Sequence, residues 1–374
     1  MPPSALRIPG FVNAHSHAFQ RGMRGSVERR DPDHPEDDFW SWREAMYAAA
    51  GRLDPDTVYD VALLVYREMV ACGYVAVGEF HYPHHRRDGT PYERPNAMAE
   101  AVVAAARDAG IEPVLLMTAY ERAGAGKPPT AGQRRFCDPS VDDYLRRVAA
   151  LAEVCAVGLA PHSMRAVSRP WLERIAAFAQ ANGMVIHIHA NEQRREIAES
   201  VEEYGLRPIE LLAETGILGP RTTVVHATHI DEHELELLAA IGSTVCACPT
   251  TEANLGDGFL PVLELLERGI PICIGSDSNV VVDPVVELRE IEACARRQTE
   301  RRNVVVAAGD AGPTDELLRM GTVNGARALG IDHPLPEIEV DRDHLQLRGV
   351  ADADVLPALV FGGSAAALRP LGAD

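Results

Sequence analysis

The chain has no long apolar run. Nothing in its 374 residues approaches the roughly 20 apolar residues that cross a membrane as a helix. Its start, MPPSALRIPG, lacks a basic segment followed by an apolar one, so a secretory signal peptide is not expected. There is no CxxC. The seven cysteines are scattered, with Cys246 and Cys248 nearest together, and the odd count argues against a disulfide framework and for a reducing cytoplasm. Positive charge is in deficit: 36 Lys and Arg stand against 55 Asp and Glu, a formal net charge of −19. That argues against nucleic acid as a partner, because its binders need basic surface. An anionic small molecule is also repelled at long range, so an acidic substrate requires local arginines that overcome the field. No internal repeat and no low-complexity linker interrupts the chain. Its 46% hydrophobic content is ordinary, and its length can bury one large core, with or without a small companion.

What is present is an alternation of short β-rich runs with Ala/Leu/Glu/Arg-rich helical runs. The strands expected are 11–17 (FVNAHSH), 74–82, 111–120, 156–163, 184–190 (MVIHIHA), 222–229, 243–250 and 271–279 (PICIGSDSN). They read as near-continuous apolar runs, as strands buried on both faces do. Several intervening helices stop at Gly just before the next strand. Roughly eight such units predict a (β/α)₈ barrel. A doubly wound open sheet is the competitor, weakened because no GxGxxG follows the first strand. After a helix pair at 314–330, the tail is expected to hold β-like pieces, DHLQLRG and ALVFGGS, between turns. The division expected is a lead-in over 1–10, the barrel over 11–332 and a β-rich remnant over 333–374.

The polar residues concentrate at the ends of these strands: His15 and His17, then Glu79, His81 and Tyr82, His162, His187 and His189, His226 and His229, and Asp277. In a parallel barrel all C-terminal strand ends share one face, where active sites form. His-x-His on a strand puts both imidazoles on one side. A histidine pair alone is more often structural than ligating, but His189 and Asp277 at other strand ends strengthen the metal reading. Three imidazoles and a carboxylate suit Zn²⁺, with Fe²⁺ or another divalent ion as alternatives. HANE (189–192) sets Glu192 three residues after His189, a spacing that suits a proton shuttle beside a metal-activated water. Cys246 and Cys248 read as small core residues. TTEANLGDG reads as an active-site loop rather than a phosphate loop, since it lacks GK[ST].

With these residues in view, the pattern resembles the amidohydrolase superfamily: HSH at the first strand, HIHANE at the fifth, VHATH at the sixth and GSDSN at the eighth. The longer stretches NAHSHAFQRGMRG, FWSWREAMY, GEFHYPHH, APHSMRAV and CPTTEANLGDG are similar, more narrowly, to the formimidoylglutamate deiminases of histidine degradation. The resemblance runs from residue 11 to about 330. It implies a mononuclear site with His15, His17, His189 and Asp277 as ligands, and catalytic roles for Glu192, His226 and Asp277. It favours His226 over His229, and it assigns substrate contacts to Gln20, Tyr82, His162 and Arg165. Arg43 is expected to reach a neighbouring subunit's site, because the family is dimeric.

The reaction so implied is hydrolysis of N-formimidoyl-L-glutamate to N-formyl-L-glutamate and ammonia, on a small substrate with two carboxylates. Two rivals stand beside it. One is a deaminase acting on a nucleobase-like or triazine-like ring, whose pocket would stack aromatic groups where Arg and Gln are expected here. The other is a non-catalytic barrel serving as a scaffold. Members of the resembled family carry tens of residues before the first barrel strand, forming half of a small β-sandwich. This chain reaches HSH by residue 15, so a reduced or incomplete sandwich, with exposed tail strands, is expected.

Overall fold

Short apolar strands separated by amphipathic helices close into a ring. The computed structural model of the chain describes residues 6–29, 37–307 and 309–371. Residues 1–5 of the expected lead-in and 372–374 of the expected tail lie outside them. The strands are β1 (Leu6–Pro9), β2 (Phe11–Ser16), β3 (Tyr74–His81), β4 (Glu112–Ala119), β5 (Ala156–Pro161), β6 (Ile186–Ala190), β7 (Thr222–His226), β8 (Thr244–Ala247) and β9 (Ile272–Ile274). From β2 to β9, each pairs in parallel with the next in sequence. That consecutive order is the expected (β/α)₈ barrel; a doubly wound sheet reverses its order at a switch point.

Helices follow the strands: α1 (Phe39–Ala50) and α2 (Pro55–Ala71), then α3 (Ala97–Ala109), α4 (Val141–Ala152), α5 (Arg169–Asn182), α6 (Arg194–Tyr204), α7 (Pro208–Glu214), α8 (Glu232–Ile241), α9 (Pro249–Leu255), α10 (Val262–Glu267) and α11 (Pro284–Thr299). The helix pair foreseen at 314–330 is α12 (Pro313–Gly321) and α13 (Val323–Leu329). Local chemistry sets the ends. Asp54 accepts from Thr57 N at 2.8 Å and Pro55 fills the first turn of α2. Gly110, at φ 80°, takes the left-handed turn that stops α3. None of the described helices is long and apolar enough to cross a membrane.

The ring closes between β9 and β2, where the chain just past β9 bonds back to β2. Asp277 N donates to His15 O and His17 N donates to Asp277 O, each at 2.9 Å. Buried side chains latch this seam. Asn13 Nδ2 donates to Ser276 Oγ at 2.6 Å, Ser276 N donates to Asn13 Oδ1 at 3.0 Å, and Ser276 Oγ donates to Asn279 Oδ1 at 2.6 Å. Asn279 Nδ2 reaches His17 O at 3.1 Å and Asp277 O at 3.0 Å.

The tail departs from expectation. DHLQLRG is a run of turns, and ALVFGGS lies mostly in helix α14 (Val355–Gly362). The run VLPALVFG is apolar almost throughout, and α14 packs against α11 and α12, where a helix buries more of it than a lone strand would. The strands present are β10 (Glu337–Val340) and β11 (Leu368–Pro370). β10 pairs antiparallel with β1 on one side and β11 on the other, so the terminal sheet has three strands and its longest tail strand is covered on both edges.

Candidate active site

Parallel pairing brings the strand ends together, and four of the predicted ligands meet there. Donor atoms of His15, His17, His189 and Asp277 all lie within 4.8 Å of one another, and all four residues are buried. His17 Nδ1 donates to Phe80 O at 2.8 Å, and His189 Nδ1 donates to His162 O at 2.9 Å. With those nitrogens protonated, both Nε2 atoms present bare lone pairs to the centre. This is how backbone carbonyls commonly fix the tautomer of a ligating histidine. His189 Nε2 stands 3.1 Å from His15 Nε2, and Asp277 Oδ1 lies 3.5 Å from His15 Nε2 and 3.3 Å from His17 Nε2. Burial, with the neighbouring His17, drives His15 down to about 3, and burial also lowers His17 and His189. Burial alone would raise Asp277, but the surrounding imidazoles hold it below the usual carboxylate range. Neutral imidazoles converging on an ionised carboxylate are the donor set of a divalent metal. His226, Cys248 and Asp277 form a second close trio, but burial pushes the Cys248 thiol up, which makes it a poor ligand beside the first set.

His226 ends β7 in the left-handed region, at φ 74°, and Asp277 does the same at φ 45°. Such strain persists where surrounding structure over-determines it. Three carboxylates surround the His226 ring. Its Nδ1 donates to Glu252 Oε1 at 3.3 Å, and its Nε2 lies 3.6 Å from Glu192 and 3.7 Å from Asp277. Burial would lower His226, but Glu192, Glu252 and Asp277 outweigh it and raise it to about 10. Glu192 itself is raised by burial, against the pull of His226 and Arg165. The pair therefore sets an imidazole held above its usual range beside a carboxyl raised by burial.

Gln20, Tyr82, His162, Arg165 and Arg43 line one pocket together with His17, His189, Glu192, His226 and Asp277. Gln20 Nε2 donates to the Tyr82 hydroxyl at 2.9 Å. Arg165 is buried, and neither its guanidinium nor that of Arg43 has a hydrogen-bond partner among the described residues. Arg43, expected at a neighbouring subunit's site, stands on the wall of its own chain's pocket. It is carried there by α1, which covers the mouth. The wall holds more than the expected Arg and Gln: Phe39, Trp42, Tyr47, Tyr82 and Tyr120 line it too. These aromatic residues are spread over α1 and the ends of β3 and β4, so no single motif displays them.

Some strand-end residues stay out. Glu79 lies beneath the site, accepting from Ala18 N at 2.7 Å. His81 is buried against His84, and His187 donates to Ala328 O at 2.9 Å. His229 is only half-buried and does not line the pocket. Cys246 and Cys248 are fully buried in a small apolar cluster with Cys273, as expected of core residues. In TTEANLGDG the first residues form α9, not a loop. Glu252, in the first turn of that helix, was missed as a neighbour of His226; a capping-type Glu before a Gly turn was the sequence signal available. Glu196 was missed too: it accepts from Glu192 N at 3.1 Å, and burial brings its carboxyl to about 7.

A profile of the amidohydrolase family matches residues 6–343. A formimidoylglutamate deiminase of Pseudomonas aeruginosa is 38% identical over 340 residues, 90% of this chain and 74% of that protein. Among solved structures, an amidohydrolase from Brucella melitensis superposes with a TM-score of 0.86 at 34% identity, covering 97% of this chain and 82% of the other. An adenosine deaminase from Xanthomonas campestris with bound zinc superposes at 0.81 with 25% identity, covering 98% and 78%.

Proposed function

The chain belongs to the amidohydrolase family, and from that premise we propose that it hydrolyses N-formimidoyl-L-glutamate to N-formyl-L-glutamate and ammonia. The observation that carries this reading is a single pocket lined by three residues of the four-donor cluster, with His15 behind them, by the Glu192–His226 pair and by two unpartnered guanidinium groups. A divalent ion, zinc by preference, held by His15, His17, His189 and Asp277 would supply Lewis acidity that makes a water nucleophilic near neutral pH. Asp277 is placed to take the proton of the attacking water. His226 donates toward the attacking oxygen and offsets charge as it develops. Glu192 delivers a proton to the terminal nitrogen, which leaves as ammonia while the C–N bond to glutamate stays intact. Which nitrogen leaves depends on anchoring. Arg165 grips a carboxylate with its paired nitrogens, Gln20, Tyr82 and His162 add hydrogen bonds, and Arg43 faces the same space.

A ring deaminase is the second reading, favoured by the aromatic wall. Against it stand the two unpartnered guanidinium groups on the same wall, which suit a carboxylate better than a neutral ring. Much of the wall is also committed, since Gln133 donates to the hydroxyls of Tyr47 at 3.1 Å and Tyr120 at 3.0 Å. We further read the protein as a cytoplasmic homodimer. The test is ammonia release by zinc-reconstituted protein, offered N-formimidoyl-L-glutamate, adenosine and an aminotriazine in parallel. Release from the first alone is expected. Release from a ring substrate and not from the amidine would replace this reading, and no release from any would favour a scaffold.

A further inference from the structure

The three imidazoles of the donor cluster use one side of the Asp277 carboxylate. Oδ1 lies 3.5 Å from His15 Nε2 and 3.3 Å from His17 Nε2, while Oδ2 lies 3.7 Å from His226 Nε2. A second group of donors stands on the Oδ2 side. Cys248, in the step from β8 to α9, brings its thiol within 4.8 Å of donor atoms of both His226 and Asp277, and all three residues are buried. Glu192 Oε1, 3.6 Å from His226 Nε2, is a fourth donor. His226 is oriented as a ligand is. Its Nδ1 donates to Glu252 Oε1 at 3.3 Å, and the same oxygen accepts from Cys248 N at 2.9 Å. An acceptor behind one ring nitrogen turns the other toward a metal, as the carbonyls of Phe80 and His162 do for His17 and His189. Positive charge is short here. Three carboxylates surround one imidazole, and burial with the neighbouring Glu192 pushes the carboxyl of Asp257 up to about 9. Crowded acids keep protons for want of a cation, and a dication supplies what is missing.

We infer that His226, Cys248, Asp277 and Glu192 form a second, weaker site for a thiophilic divalent ion, zinc above all, and that filling it switches the enzyme off. Thiolate, imidazole and carboxylate together suit zinc or cadmium, whereas magnesium and calcium take oxygen alone. Asp277 bridges, with Oδ1 toward the first site and Oδ2 toward the second. The way in is the reaction pocket, which His226, Glu192 and Asp277 line. Occupancy sends two protons to solvent, one from the Cys248 thiol and one from His226 Nε2. That cost, with repulsion from an ion already held by the imidazoles, makes this the second site to fill. Cys248 is thus a ligand only when metal is in excess. The site itself assumes nothing about the substrate. The loss of turnover rests on the proposed reaction, because the ion takes the proton-carrying groups of His226 and Glu192 out of use.

A thiolate ligand allows a readout independent of turnover. Protein carrying one zinc per chain would be titrated with cadmium and followed by the ultraviolet thiolate-to-cadmium charge-transfer band, with zinc retention checked by atomic emission. One further equivalent should bind as the band rises. Cys248→Ala should abolish the band and weaken the second equivalent by at least about a hundredfold, since outer partners of a metal ligand alone carry roughly 10- to 100-fold. Cys246→Ala, in the same apolar cluster, should keep both. Cys248→Ser is the second variant, used if the alanine protein does not fold. Zinc at ten times the second dissociation constant should cut ammonia release from N-formimidoyl-L-glutamate roughly tenfold, since about nine molecules in ten are then occupied. The Cys248 variants, each compared with its own rate at one zinc per chain, should be spared. A band that persists without Cys248, or no band and no second equivalent, overturns the site. An ion that binds through Cys248 and leaves turnover intact overturns the switch. If the band behaves as expected but no zinc level yields ammonia, the site stands and the proposed reaction is wrong.

Discussion

Glu192 and Arg165 share the pocket but face different demands, and substitution separates them. Glu192 is buried 3.6 Å from His226 Nε2, and Thr228 Oγ1 holds its backbone carbonyl at 3.0 Å. Glu192→Gln keeps the shape, removes the transferable proton and touches none of the four donors. Turnover should fall by about 10²- to 10⁴-fold while zinc content, measured by atomic emission, stays at one per chain. Near-normal turnover would take Glu192 out of the chemistry. Arg165→Ala removes a buried cation whose charge is supported by Glu196 and Glu192. kcat/KM for the dicarboxylate should drop about a hundredfold, roughly 3 kcal/mol, mostly through KM and again without loss of metal. A protein that loses its zinc but keeps its KM would overturn the anchoring role.

At the scale of elements, the barrel seam and the donor cluster are one construction. β2 supplies His15 and carries the chain to His17, the segment after β9 supplies Asp277, and the backbone bonds that close the ring run between these same residues. Ser276 lies between Asn13 and Asn279 and has no exposure. Ser276→Ala leaves two buried amide groups short of a partner and should destabilise the fold by about 1–3 kcal/mol. Because that latch holds Asp277 against β2, zinc should also be lost to a chelator faster than from the parent. Lower stability with unchanged zinc release would separate the seam from the site. The ligands were legible because a strand of period two and a parallel barrel make strand ends converge, so HSH, HIHANE and GSDSN could be placed without coordinates. Glu252 was not, because α9 is short and its sequence, TTEANL, follows turn-like residues. The small terminal sheet was expected, but its strands were placed at the wrong residues: β1, β10 and β11 are three or four residues each and come from both ends of the chain. No local pattern encodes that pairing, whereas the apolar VLPALVFG advertises a strand and forms a helix against α11.

The whole molecule carries its acidity inward as well as on its surface. Glu287, on α11, has no exposure; it accepts from Thr250 N at 3.0 Å and from the Thr250 hydroxyl, joining α11 to the start of α9. Burial, with the nearby Glu252 and Asp277, outweighs those bonds and lifts its carboxyl from 4.5 to about 8. Glu79, beneath the donor cluster, is likewise lifted to about 8 by burial. A raised carboxyl means that the folded chain holds a proton the unfolded chain has released. Its stabilising contribution is complete below about 4.5 and is lost as pH climbs to about 8, with no further change above. The growing negative charge of a chain already at −19 acts in the same direction. Thermal midpoints should therefore fall between about pH 7 and pH 8.5, above the range in which buried neutral histidines such as His15 add stability as the unfolded chain's imidazoles lose their protons. Added salt should recover the part due to surface repulsion, because exposed charges are screened and buried ones are not. Glu287→Gln isolates one buried contribution: the amide keeps an acceptor for Thr250 N, cannot ionise, and carries no charge toward Glu252. Below pH 5 the variant should match or fall slightly short of the parent, having lost the hydroxyl contact. Its advantage should then grow through pH 6 and 7 and level off near pH 8. Parallel midpoint curves across that range would mean that Glu287 is ionised in the folded protein throughout, and that the loss of stability with pH belongs to the surface.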